Sequence, residues 1–140
     1  MTWFALLPSR GLLALSGADA RGFLQGLVSN DVEKVGAERA IYAALLTPQG
    51  KFLHDFFIAE RSGALLIDGE AHRLEDLKRR LTLYRLRAKV AIESPSGYVV
   101  AALWGESALA KLGLPVEAGR ATPFAGGLVY VDPRLATLGA

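Results

Sequence analysis

The sequence predicts an α+β fold, with an antiparallel sheet built from hairpins and two main helices. Three observations predict it. Short apolar runs bounded by Pro, Gly and Ser recur along the chain and mark strands. Two stretches change to spacings of three and four, the mark of an amphipathic helix. The resulting order is strands, helix, three strands, helix, two strands, which lacks the regular alternation of a parallel sheet.

Trp3 to Leu7 and Gly11 to Ser16 are apolar runs around Pro8-Ser9-Arg10, two strands and a turn. Ser16 offers a helix cap, with Asp19 three residues on. From Ala18 to Val28, the positions Ala20, Phe23, Leu24, Leu27 and Val28 share one helical face, and Asn30-Asp31 ends the helix. Gly22 and Gly26 lie inside it and cost about 1 kcal/mol each against alanine. Close packing of helix on sheet accounts for them better than the approach of a ligand.

Ile41 to Leu46 and Phe52 to Ala59 form a hairpin across Thr47-Pro48-Gln49-Gly50. Ala64 to Ile67 is the third strand, after Arg61-Ser62-Gly63. Ala71 to Tyr84 is the clearest helix, with Leu74, Leu77 and Leu81 on one face and Glu75 four residues before Arg79 on the other. Val90 to Ile92 and Tyr98 to Leu103 are further strands. Ser107 to Leu112 is a short helix, Gly113 to Gly127 is loop-like, and Leu128 to Val131 is the last strand. No element follows to cover that strand, and an uncovered edge invites self-association. The ending predicts a truncated product or a fragment.

A chain of 140 residues, 51% hydrophobic and 21% charged, can bury a substantial core and is not of the disordered class. The net charge of +2 gives no basic stripe for direct nucleic-acid contact. The one dense basic segment, Lys78 to Lys89, reads as a solvated helix face. Without cysteine there is no disulfide, thiolate nucleophile or cysteine-held cluster in these residues. His54 and His72 are too few for a histidine metal site. No apolar run reaches the ~18 residues of a membrane span. Met1 to Leu7 lacks the pattern of a signal peptide, so a cytoplasmic location is the default.

Chemistry is sparse. Gly22-Phe23-Leu24-Gln25-Gly26 lacks the Lys-Ser/Thr of a phosphate loop, and no nucleophile elbow occurs. His54-Asp55 stands out in Phe52-Leu53-His54-Asp55-Phe56-Phe57. Neighbouring strand residues face opposite sides, so one of the pair points inward and the other outward. A carboxylate among phenylalanines needs a partner. A surface position for Asp55 is an equal alternative on composition alone. Asp68, at the end of its strand, is open to the same two readings, the plain one being a cap for the next helix.

Four blocks then carry a resemblance. Leu15 to Val32 contains Gly17-Ala18-Asp19-Ala20, Phe23-Leu24-Gln25-Gly26 and Ser29-Asn30-Asp31. Ala43 to Asp55 contains a strand, a Pro-x-Gly turn and a second strand with an acidic residue. Tyr84-Arg85-Leu86-Arg87-Ala88-Lys89-Val90 and Asp132-Pro133-Arg134-Leu135 follow in the same order. Together they resemble YgfZ-type folate-binding proteins, relatives of the glycine-cleavage T-protein. Ser29 stands where the family usually has Thr.

The resemblance implies that residues 1–140 are the N-terminal part of a T-protein-like folate-binding domain. It implies tetrahydrofolate as cofactor and a role in iron–sulfur cluster assembly or repair. Its partners would be folate and iron–sulfur client proteins, and the role would be linked to tRNA modification enzymes. Asp55 matches the T-protein aspartate beside the folate, and Asp68 lies at a strand end near the cofactor. Tyr42, Thr47 and His54 join the candidate set by proximity. The family's Lys-Gly-Cys-x-x-Gly-Gln-Glu signature and its C-terminal β-barrel are not in this sequence. An aminomethyltransferase proper, or an inactive interaction module, are the rival expectations.

Overall fold

A computed structural model describes residues 1–140. The strands are β1 (Trp3–Leu6), β2 (Arg10–Ser16), β3 (Ile41–Leu46), β4 (Phe52–Arg61), β5 (Ala64–Glu70), β6 (Ala91–Glu93), β7 (Ala101–Trp104), β8 (Ala121–Phe124) and β9 (Gly127–Tyr130). The helices are α1 (Ala20–Gln25), α2 (Leu74–Arg85) and α3 (Ala108–Lys111). Short 3-10 turns occupy Val32–Lys34, Ala71–Arg73 and Ala136–Leu138. This is the α+β class that the sequence predicts.

The main sheet has five antiparallel strands in the order β3-β4-β5-β2-β6. Two-residue alternation divides its side chains between two faces. Leu13 and Leu15 of β2, Ala43 and Leu45 of β3, Phe56 and Ile58 of β4, and Leu65 and Ile67 of β5 are buried on one face. Leu24 of α1 and Leu77 and Leu81 of α2 pack onto them. The apolar spacing read along Ala71 to Tyr84 is therefore the stripe that α2 presents to the sheet. Leu12, Phe57, Ala59, Leu66 and Asp68 point to the other face.

β1 and β7 pair with each other, and so do β8 and β9. Pro8-Ser9-Arg10 thus passes the chain from one sheet to another and makes no hairpin. The hairpins lie at β3–β4, β4–β5 and β8–β9. Two of them turn on two residues with positive φ, Ser62-Gly63 (53° and 80°) and Ala125-Gly126 (47° and 79°). That is the mirror-image turn that matches strand twist.

Several sequence expectations need correction. The first helix stops at Gln25, because the chain then turns to cover the outer edge of β3: Val28 bridges Leu45, and the Ser29 N–H donates to the Ala44 carbonyl at 2.9 Å. Ser16 belongs to β2 and does not cap. Asp19 holds the N-cap position, but its carboxylate accepts the Lys89 N–H at 2.7 Å and caps no amide of its own helix. Helix-on-sheet packing does not explain Gly22, since a Cβ there would meet nothing within 4 Å. Gly17 does need its freedom: it has φ +114°, and a Cβ would strike the Lys89 carbonyl.

The loop-like stretch from Gly113 to Gly127 hides β8, which carries Pro123. Proline is tolerated there because β8 is paired on one side only. β8 pairs with β9, so the last strand has a neighbour after all. Ala140 exchanges backbone hydrogen bonds with Leu103, at 2.6 and 2.8 Å. No helix is long and apolar enough to cross a membrane.

Leu81→Ala should cost about 2–5 kcal/mol in denaturant unfolding, because it empties a buried site between α2 and the sheet. Leu83→Ala, two residues on but 65% exposed, should stay within about 0.5 kcal/mol.

Candidate functional site

A cleft of about 570 Å³ opens on the face of the main sheet opposite the core. Its floor is Leu12, Phe57, Ala59, Leu66 and Asp68, the alternate residues of β2, β4 and β5. Its walls come from residues 97–103, leading into and along β7, and from the β8–β9 hairpin. The cleft thus exists because three small sheets meet over one apolar surface. Its size is that of a pocket for a drug-sized molecule.

Charged and phenolic groups gather at one end. Asp68, buried within β5, accepts from Arg10 Nε at 3.0 Å through Oδ1 and from the Tyr130 hydroxyl at 2.6 Å through Oδ2. Arg10 also donates to the Asp68 carbonyl at 2.8 Å. Burial raises the Tyr130 phenol well above its ordinary pKa, and the neighbouring Asp68 charge adds to this. The sequence option that Asp68 caps α2 is set aside, because β5 runs on to Glu70 and no side chain caps that helix.

Phe57 sits at the centre of the group. Its ring is 5.6 Å from that of Tyr42 and 5.8 Å from that of Tyr130, both tilted. The Arg10 and Arg134 guanidiniums lie 5.5 and 5.0 Å from its centroid. Arg134 also lies 5.8 Å from the Tyr42 ring and makes a two-point pair with Asp132, at 2.9 and 2.6 Å. At the other end, Arg61 donates to the Tyr98 hydroxyl at 2.9 Å and to the Gly126 carbonyl, tying floor to walls.

Asp55 is half-buried on the same sheet face as Phe57 and accepts a short hydrogen bond from the Tyr42 hydroxyl through Oδ2. That bond raises the Tyr42 phenol above its usual pKa, with burial and the Asp55 charge acting in the same direction. Asp55 and Tyr42 flank the cleft through Phe57 and Arg134, while Asp68 is the one candidate among the five that lines it.

The other two candidates lie elsewhere. Thr47 holds its own turn, its hydroxyl accepting the Lys51 N–H at 3.0 Å. His54 faces the core, 3% exposed, with Nε2 2.8 Å from Asp76 Oδ2. Arg80, His54 and Arg79 together hold Asp76 far below the usual carboxylate range. The hollow beside His54 is about 10 Å³, room for one water at most.

Sequence reasoning did not single out Arg10, Phe57, Tyr130 or Arg134. Period-two counting from Asp55 reaches Phe57, and Arg134 lies in the Asp132–Leu135 block. Arg10 and Tyr130 have no local signal.

Of the four tyrosines, Tyr42 and Tyr130 should ionise late in an alkaline titration followed by phenolate absorbance. Tyr130→Phe should remove the latest component. A raised folded-state pKa favours the folded chain below the ordinary phenol value of about 10, and that contribution is lost as pH rises through the raised value. Stability should therefore fall more steeply above about pH 10 in the parent than in Tyr130→Phe.

No family model matches the chain. It is similar to the mitochondrial iron–sulfur cluster assembly factor IBA57 homolog of Mycosarcoma maydis, at 31% identity over 153 residues, covering 99% of this chain and 35% of that protein. The corresponding protein of Pyricularia oryzae is 40% identical over 91 residues, covering 62% of this chain and 23% of that one. Among solved structures, the glycine cleavage system aminomethyltransferase T from Bartonella henselae superposes with a TM-score of 0.68 at 19% identity, over 81% of this chain and 32% of that one. The chain thus spans about a third or less of the length of the relatives it matches. Their mitochondrial designation overturns the cytoplasmic location expected above. By sequence the chain is a homologue of the IBA57 proteins of the YgfZ type, and by architecture it has the T-protein-like fold.

Proposed function

We propose that this chain supplies the first part of a tetrahydrofolate-binding surface in a protein that serves iron–sulfur cluster assembly or repair. The relatives named as assembly factors support the biological role, with iron–sulfur proteins as clients. The cleft supports the cofactor, and one observation carries it: an apolar floor ends in a phenylalanine flanked by two carboxylates and two guanidiniums.

The residues fit the group. A pterin is flat and stacks on an aromatic ring, and Phe57 offers one beside the apolar surface of Leu12 and Leu66. Its N–H edge needs a carboxylate. Asp68 lines the cleft, and Asp55 keeps one oxygen outside its bond to Tyr42. The glutamate tail of a folate is anionic, and Arg134 and Arg61 line the same space. Bound there, the folate would supply a one-carbon carrier; the chain's own residues would orient it and exclude water from one face.

Calorimetric titration of the chain with tetrahydrofolate tests this. Binding is expected, and Phe57→Leu and Asp55→Asn should each weaken it about tenfold, the loss of one good aromatic or charged contact. Absence of heat from the parent chain, or equal binding by both variants, would remove the cofactor from the proposal.

A further inference from the structure

The end of α2 displays apolar side chains that the core does not use. Leu77 and Leu81 are buried, yet Leu83, Tyr84 and Leu86 are 65%, 39% and 87% exposed. Leu86 has φ 48° and ψ −113°, a backbone conformation that a leucine rarely adopts. Glycine would take it at lower cost. The side chain repays nothing within the monomer, because it projects into solvent. Strain of this kind, held at a large exposed apolar residue, points to a role outside the folded chain.

The charge around this knob is one-sided. Between Leu74 and Lys89 there are six bases, Lys78, Arg79, Arg80, Arg85, Arg87 and Lys89, against Glu75 and Asp76. Asp76 is engaged by Arg79 at 2.6 Å and Arg80 at 2.7 Å, and Arg85 turns toward the Val90 carbonyl at 3.4 Å. Asp19 takes the Lys89 amide, a backbone contact. Lys78, Arg87 and the Lys89 ammonium pair with no acid of the chain. Helical spacing puts Arg79 beside Leu83 and Arg80 beside Tyr84.

We propose that the C-terminal end of α2, with Leu83, Tyr84 and Leu86 exposed and the unpaired cations Arg87 and Lys89 next in sequence, docks an acidic protein segment bearing apolar side chains. Apolar anchors inside a charged rim are the anatomy of a protein interface. A membrane surface fits less well, because α2 has already spent its apolar stripe on the core and cannot roll it into a bilayer. A nucleic acid would use the bases but would leave Leu83 and Leu86 without partners.

Fluorescence anisotropy with a labelled peptide of repeated Glu-Leu-Leu-Glu units tests the surface on the intact chain. The peptide should bind, and added salt should weaken it. Leu86→Gly should weaken it about tenfold, as loss of an anchor does. The thermal midpoint of Leu86→Gly should meanwhile hold or rise, since glycine relieves the backbone. Arg87→Glu should weaken binding as well. The proposal is overturned if the peptide does not bind, if Leu86→Gly binds it like the parent, or if phosphatidylserine vesicles or single-stranded DNA bind more tightly than the peptide.

Discussion

Asp68 is where three parts of the chain meet. Its carboxylate, on β5, takes a guanidinium from β2 and a phenol from β9. The first bond lies within the main sheet, and the second crosses from that sheet to the β8–β9 hairpin. A charge this buried costs free energy unless both oxygens are satisfied. Here each oxygen has a donor, so the hairpin is held at one height above the sheet. The width of the cleft follows from that junction. A hydrophobic trio of similar volume could be equally stable, but it would not fix the two layers in one alignment.

The same strand period builds the core and the site together. Along β4, His54, Phe56 and Ile58 face α2, while Asp55 and Phe57 face the cleft side. A slip of one residue would send His54 to the cleft and Phe57 into the core. Such a slip is costly, because His54 has a fitted partner in Asp76 and the Phe56 and Ile58 sites are fully packed. The packing of one face thereby sets what the other face presents. This is why a half-buried Asp55 can keep its Tyr42 partner without any loop to position it.

What was legible in the sequence was local. The β3–β4 hairpin, α2 and the opposite facing of His54 and Asp55 follow from periodicity and turn chemistry over a few residues. The site's other half was not legible, because its partners are distant: Arg10 and Tyr130 lie 58 and 62 positions from Asp68. No spacing rule links them, and only the closing of three sheets brings them together. β8 was missed for a different reason. Pro123 and the glycines Gly113, Gly119, Gly126 and Gly127 are loop signals, and a two-stranded hairpin with one free edge overrides them. His54 joins the candidates by proximity to Asp55, yet Asp76 and its arginines supply a structural reason for a polar residue at that core position.

The one-third span of the relatives bears on how the surface should be understood. The cleft is closed on one side by the main sheet and on two others by the segment leading into β7 and by the β8–β9 hairpin, and Phe124, Tyr98 and Val99 stay 49%, 43% and 77% exposed around it. Apolar groups at the rim of a ligand-sized cleft are of use to a ligand or to further chain. The knob at Leu86 is different in kind. It lies on the helical layer, on the side of the sheet that the core fills, and its neighbours are cations. A cofactor on one face and a protein partner on the other would therefore not compete for the same groups. The sheet between them is packed on one side by α2 and on the other by the Asp68 junction, so the two surfaces share a rigid support and no side chain.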